Sequence, residues 1–264
     1  HMAFGPKTGR LTHQAKGYHE LAERAVIDYG LHGVIQHVNA KVLDDMALLQ
    51  QEEGITSYKI YLTYDYMLKD NDILTVLQRA KELNVVICAH CENHDMVNAL
   101  RNKFVEEDKL TPRYHPLSRP QEAEEEAIFR FLMLARTACA PPVYVVHLTT
   151  KLGLEAIETA RRDGQANVFA ETCPQYLLLD DPVYDDDVEG LKFIMSPPLR
   201  TTADNEALWQ GIASGNVNTV GTDHCPFFFA TQKQRGAENF TLCPNGAPGV
   251  ELRMPLLFSE GYLK

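Results

Sequence analysis

Four side chains suited to gripping a divalent cation stand at or near the ends of short apolar runs. Lys59 lies in "SYKIYL", His90 closes "VVICAH", His147 closes "VYVVH" and Asp223 follows "TVGT". Imidazole nitrogens and a carboxylate are ordinary ligands for such ions. A lysine is not, because an ammonium has no lone pair and is costly to bury. Burial beside cations, however, disfavours its charged form. The neutral amine then reacts with carbon dioxide to give a carbamate, an anionic, carboxylate-like group able to bridge two metals. Each residue alone has a plainer explanation. A lone strand-end histidine is more often hydrogen-bonded structure, a strand lysine usually marks an edge, and an aspartate after a strand often caps the next helix. Their recurrence at equivalent positions of successive strands favours a shared metal site.

The elements that must carry these residues alternate. Strands are predicted at Ala25–Asp28, Ser57–Leu62, Val85–His90, Val143–His147, Val168–Glu171 and Thr219–Thr222. Between them, Asp70–Leu83 places Ile73, Val76, Leu77, Ala80 and Leu83 at helical spacing, with Asp70 or Asn71 as its cap. Glu122–Ala138 starts acidic, as the helix dipole favours, and Ala203–Ser214 ends at Gly215. Strand–helix alternation implies parallel strands, in an open sheet or a (β/α)8 barrel. In the barrel, functional groups gather at the carboxyl ends of the strands. The two-residue period puts Ser57, Lys59 and Tyr61 on one face, with Tyr58, Ile60 and Leu62 on the other. The same reasoning pairs Cys88 with His90 and Val145 with His147, and turns His224 away from Asp223. Irregular segments at Thr111–Pro120 and Pro226–Pro248 are long enough to be functional. No repeat or linker interrupts the chain, so residues 1–264 read as one domain.

Composition bounds the partners. A net charge of −11 leaves no basic stripe for nucleic acid. No apolar run approaches the ~20 residues of a membrane span. Six scattered cysteines without a signal peptide suit a reducing cytoplasm. The opening His1-Met2 reads equally as a cloning remnant or as native sequence.

In the order in which they occur, "AVIDYGLHGVI", "GITSYKIYLTY", "AHCEN", "YVVHL", "ETCPQYLLLD", "FIMSPPLR", "GTDHCPF" and "PNGAPGVELRMPLLF" resemble the cyclic amidohydrolases of the hydantoinase/dihydropyrimidinase family. The resemblance covers nearly the whole chain and is highly specific as a set. "HGVIQHVN", "YLTYDY" and "RYHPLSRP" look most like the D-phenylhydantoinase branch, in which a similar His-Met-x-Phe-Gly-Pro segment follows the second barrel strand.

The resemblance implies a (β/α)8 barrel of the amidohydrolase superfamily with two zinc ions. Lys59 would be the carbamylated bridge, with His90 and His147 ligands of one metal and Asp223 ligand of the other and general base. Tyr64 would hydrogen-bond the developing oxyanion. Ser196 and Asn245 would hold the cyclic amide edge, largely through backbone groups, while Tyr61 and "TYDYML" shape the pocket for the ring substituent. The implied reaction opens hydantoins or dihydropyrimidines to N-carbamoyl amino acids, in a cytoplasmic, commonly tetrameric enzyme. The pattern departs from the family in one respect. The His-x-His pair of the first barrel strand, the first two strands, the small β-sandwich and the closing C-terminal segment do not occur. About six of eight βα units are expected, with at most one tightly held zinc and slow turnover or none by the isolated chain.

Two other readings stand beside this one: a non-enzymatic dihydropyrimidinase-like scaffold, and an allantoinase or dihydroorotase. The last would need an arginine for a ring carboxylate, and Arg200 is the candidate. Cys88 and Cys91 form a lone CxxC that reads as packing rather than as a zinc knuckle. His94, His115 and His224 read as hydrogen-bonded loop or supporting residues, "YDDDVEG" as a solvated acidic turn and Trp209 as packing.

Overall fold

The computed structural model describes all 264 residues. Its strands are β1 (Met2–Ala3), β2 (His32–Val34), β3 (Ser57–Tyr61), β4 (Val86–His90), β5 (Val143–Val145), β6 (Val168–Thr172) and β7 (Thr219–Val220). The helices are α1 (Leu11–Leu21), α2 (Ala40–Glu53), α3 (Asp70–Leu83), α4 (His94–Glu106), α5 (Tyr114–Leu117), α6 (Gln121–Thr137), α7 (Lys151–Arg162), α8 (Pro174–Leu178), α9 (Thr202–Ala213) and α10 (Arg253–Leu256). Strand order follows the chain from β1 to β7, and the pairings are parallel. No helix is long and apolar enough to cross a membrane.

The chain divides into two compact units. The first comprises residues 1–91, 130–145 and 160–168. Here β3 pairs with β4 in the register Ser57↔Val86, Lys59↔Cys88 and Tyr61↔His90. The opposite face of β3 is apolar as expected. Ile60 is fully buried, as are Ile73 and Leu77 of α3, and burying each such side chain is worth about 1.5–3 kcal/mol. Tyr58 belongs to this layer and satisfies its hydroxyl by donating to the Met46 carbonyl of α2 at 2.6 Å. The fit is close: a Cβ at Gly33 would stand 2.7 Å from the Tyr58 ring. α2 starts at Asn39, whose side chain accepts from the Val42 amide at 3.0 Å, and stops at Gly54 in the left-handed region (φ 68°). α3 matches its predicted bounds, although Lys69 rather than Asp70 or Asn71 occupies the cap.

The second unit comprises residues 92–129, 146–159 and 169–264. Leu191, Ile194, Phe240 and Cys243 form a core there, with Tyr114 and Phe229 packed on it. α9 begins with a capping box in which Thr201 and Asp204 satisfy each other's backbone amides.

The strand predicted at Ala25–Asp28 does not exist. Val26 and Ile27 are 97% and 78% exposed, and the strand forms instead at His32–Val34, where β1 and β3 offer backbone partners on both sides. Three residues interrupted by Gly33 give too short a periodic signal to find. β1 was absent from the expected set, so seven strands stand where six were predicted. β5 and β7 also end earlier than predicted, at Val145 and Val220.

Candidate metal centre and substrate-holding groups

In the first unit, strand geometry presents the candidate residues directly. Lys59 and His90 are each 2% exposed, and the β3–β4 register sets them on the same side of the sheet. The Lys59 Nζ lies 5.1 Å from the centroid of the Tyr61 ring. That ring stacks on His90 with centroids 5.7 Å apart and planes 29° apart. Tyr64 closes on the same imidazole at 5.2 Å, and Tyr66 packs edge-on to Tyr61 at 5.0 Å. Phe4 joins them, 5.7 Å from Tyr61 and 5.9 Å from Tyr66. Lys59 and Tyr61 share a face of β3 as the two-residue period anticipated, the register with β4 adds His90 to that side, and Tyr64 reaches the same imidazole from beyond the end of the strand. Tyr64 sits at φ 73°, a backbone conformation costly for a bulky side chain and most often retained at functional sites.

His32 also borders this group, on the face that carries Ser57. His32 bonds through Nδ1 to the Ser57 hydroxyl at 2.7 Å. Burial, reinforced by the chain's amino terminus and by Lys59, pushes its pKa below the ordinary histidine value. The misplaced strand at Ala25–Asp28 hid it, because no face could be assigned to residue 32.

In the second unit the candidates sit on turns. His147 is 5% exposed, lies two residues beyond the end of β5, and has φ 40°. Asp223 lies three residues beyond β7, half-buried, with φ 48°. Strand parity therefore does not set the direction of His147, Asp223 or His224, contrary to the expectation. His224 is an exposed loop residue whose Nδ1 accepts from the amides of Gly249 (3.0 Å) and Val250 (3.3 Å).

A buried polar network holds the His147 turn. Its own amide donates to Glu171 Oε1 at 3.4 Å, and the Leu148 amide donates to the Glu171 carbonyl at 2.7 Å. Thr149 donates its amide and its hydroxyl to Glu124, each at 3.0 Å. Arg200 Nε donates to the Thr149 hydroxyl at 3.0 Å, and another guanidinium nitrogen donates to the Arg119 carbonyl. Burial raises the Glu124 carboxyl to about 7, against the opposing pull of Arg200 and of hydrogen bonds from Thr150 and Thr149. In the sequence Glu124 is only one acidic residue of a helix start. Gly221 belongs to the same fit, since a Cβ there would meet the Glu171 carboxyl at 2.6 Å.

Ser196 is buried, and its hydroxyl has no hydrogen-bond partner. Asn245 is exposed, and the next amide, from Gly246, donates to the Ile194 carbonyl at 3.0 Å. The segments bearing Ser196 and Asn245 are thus joined. His115 is deeply buried, bonded to the Met195 carbonyl at 2.7 Å, and burial lowers its pKa to about 3. Cys88 and Cys91 are both buried and form no disulfide. Trp209 donates to the Leu177 carbonyl at 3.0 Å. No group of three or more His, Cys, Asp and Glu side chains stands in metal-holding geometry, and the candidate set counts a lysine among its members.

These features belong to a parallel α/β protein of the amidohydrolase barrel type. No protein-family model matches the chain. The D-phenylhydantoinase of Escherichia coli O81 (strain ED1a) is 47% identical over all 264 residues. The crystal structure of dihydropyrimidinase from Brevibacillus agri NCHU1002 superposes with a TM-score of 0.96 at 40% identity, over 99% of this chain and 57% of that one. A dihydroorotase from Saccharomyces cerevisiae, with TM-score 0.71 and 17% identity over 96% of this chain and 68% of that one, shares the fold. The chain belongs to the hydantoinase/dihydropyrimidinase family, and it spans 57% of the length of the curated relatives it matches.

Proposed function

We propose that the protein hydrolyses the cyclic amide bond of 5-substituted hydantoins or dihydropyrimidines, giving N-carbamoyl amino acids, with zinc held by Lys59, His90, His147 and Asp223. The observation that carries this reading is Lys59, a mid-strand lysine 2% exposed on the side of the sheet that also bears His90. The donor set fits the metal: two imidazoles and a carboxylate suit zinc, and a buried amine becomes an anionic ligand on carbamylation. Bound zinc would supply Lewis acidity and lower the pKa of water from ~15.7 to ~7.

The chain's own groups divide the remaining work. Asp223 takes the proton of the attacking water and delivers it to the ring nitrogen as that nitrogen leaves. The Tyr64 hydroxyl donates to the carbonyl oxygen as negative charge develops on it. Ser196 and Asn245 hold the amide edge of the ring, and the unpartnered Ser196 hydroxyl supports a polar ligand there. The aromatic group of Phe4, Tyr61, Tyr64 and Tyr66 suits an apolar ring substituent.

Arg200 bonds the Thr149 hydroxyl through Nε and the Arg119 carbonyl through Nη1, which leaves only the buried, unpartnered Nη2 for a ring carboxylate and not the two-pronged fork that such a group takes. A panel of 5-phenylhydantoin, dihydrouracil, allantoin and dihydroorotate on the zinc-loaded protein tests the reading. Ring opening of the first two in preference to the others, slow in the 264-residue chain, is expected. Preferential turnover of dihydroorotate or allantoin would overturn it.

A further inference from the structure

One buried ammonium joins the two segments that carry Ser196 and Asn245. Lys233 opens the short 3-10 turn Lys233–Gly236 and is buried. Its Nζ donates to the Ile194 carbonyl at 2.6 Å and to the Pro244 carbonyl at 2.9 Å. Ile194 lies two residues before Ser196, and Pro244 immediately precedes Asn245. The Phe227 ring lies 5.6 Å from the same nitrogen. The ionisable groups acting on Lys233 are the thiols of Cys243 and Cys225 rather than a carboxylate.

The neighbourhood is built around this junction. The Ile194 carbonyl also accepts the Gly246 amide at 3.0 Å, so one oxygen serves both segments. Gly246 has φ 153°, and a Cβ there would stand 2.4 Å from the Cys225 carbonyl oxygen. The Cys225 amide in turn donates to the Ala247 carbonyl at 3.0 Å. Behind Ser196, the His115 ring bonds the Met195 carbonyl. Two carbonyl oxygens aimed at one point repel each other. A single atom with several N–H donors satisfies both at once, which an ammonium can do. A methionine of similar length would fill the space but remove the shared donor, leaving the Ile194 carbonyl with the Gly246 amide alone and the Pro244 carbonyl with only the weak Cys243 thiol.

We propose that Lys233 is a positioning residue that fixes the separation of the Ser196 and Asn245 backbones, and with it the grip on the cyclic amide edge of the substrate. The proposal rests on the reading that Ser196 and Asn245 hold substrate. The unpartnered Ser196 hydroxyl on one of the joined segments marks where a ligand's polar group would be received.

Lys233→Met and Lys233→Arg in the 264-residue chain test it. Three quantities are read: amide exchange at residues 193–196 and at Cys243, Asn245, Gly246 and Ala247, affinity for 5-phenylhydantoin by calorimetry, and zinc content. In Lys233→Met, exchange at Gly246 should accelerate and affinity fall, each by about tenfold or more. Zinc content and exchange across Asp70–Leu83 should not change. Unaltered exchange at Gly246 would overturn the proposal whatever the ligand does, and so would faster exchange with wild-type affinity. Should the methionine variant unfold, Lys233→Arg decides. Its larger, planar head should weaken binding by about threefold or more, and wild-type affinity in that variant would overturn the proposal. Absence of phenylhydantoin binding by the wild-type chain would instead count against the Ser196 and Asn245 reading, leaving exchange at Gly246 to decide whether Lys233 joins the segments.

Discussion

Lys59 and His90 are presented by regular strands, whereas His147 and Asp223 stand on backbone bent into the left-handed region. The first pair needs only the two-residue period and the β3–β4 register to share a face. The second pair needs support from residues distant in sequence. Glu124, Glu171, Thr149 and Arg200 brace the His147 turn, and Gly221 leaves room for the Glu171 carboxyl. Strands place a side chain cheaply and in a direction fixed by the pleat. Turns place one where no strand can point it, at a strain cost of order 1–3 kcal/mol per residue, which a buried polar network must offset. Tyr64, at φ 73°, is the one candidate of the first unit that follows the second pattern.

The largest expected effect breaks the strand-borne half. Lys59→Ala should lower hydrolysis by more than the ~10²–10³ typical of losing one oxyanion donor, with a parallel fall in zinc per chain by elemental analysis. Retention of a tenth of the activity would remove Lys59 from the metal site. Tyr64→Phe should cost ~10²–10³ in kcat with zinc content unchanged, and a loss under threefold would exclude the hydroxyl from the mechanism.

The turn-borne half is open to a pH test through Glu124. Burial holds its carboxyl at about 7, above the ordinary 4.5, so the folded chain binds more protons than the unfolded chain between those values. Its stabilising contribution is therefore full below about pH 4.5 and lost as pH rises through about 7. Measured against Glu124→Gln, the unfolding free energy of the wild type should fall by about 3 kcal/mol between pH 4.5 and pH 8. Parallel denaturation curves for the two proteins across that range would show the carboxyl to be unperturbed.

The smallest effect sharpens the comparison by its sign. On a strand, glycine is worse than alanine, so His90→Gly should be less stable than His90→Ala by about 0.5–1 kcal/mol. At Asp223, with φ 48°, the order should invert, with Asp223→Gly more stable than Asp223→Ala by about 1 kcal/mol. The same order at both positions would mean that the left-handed turn carries no strain.

What could be seen in the sequence follows the same division. α3 was legible because Ile73, Val76, Leu77 and Ala80 repeat at helical spacing over fourteen residues, and all four are buried. The face shared by Lys59 and Tyr61 was legible because Ser57-Tyr58-Lys59-Ile60 alternates polar and apolar types, although β3 is buried on both faces. The first two strands were not, since Val26 and Ile27 look more strand-like than His32-Gly33-Val34, and only backbone partners distant in sequence decide between them. Glu124, Arg200 and Lys233 carry no local signature. Their roles come from contacts spanning 25, 51 and 39 residues, and a single sequence does not announce such contacts. Residue type alone marks His147 and Asp223 in the sequence, and the turns that hold them look there like continuations of β5 and β7.

The direct test is an anomalous difference map from crystals of the zinc-loaded protein. A zinc peak ~2.0–2.1 Å from ring nitrogens of both His90 and His147, with density continuing beyond Lys59 Nζ, is the expected result. Zinc bound elsewhere, or a bare Lys59 amine with the two imidazoles turned to separate partners, would contradict it.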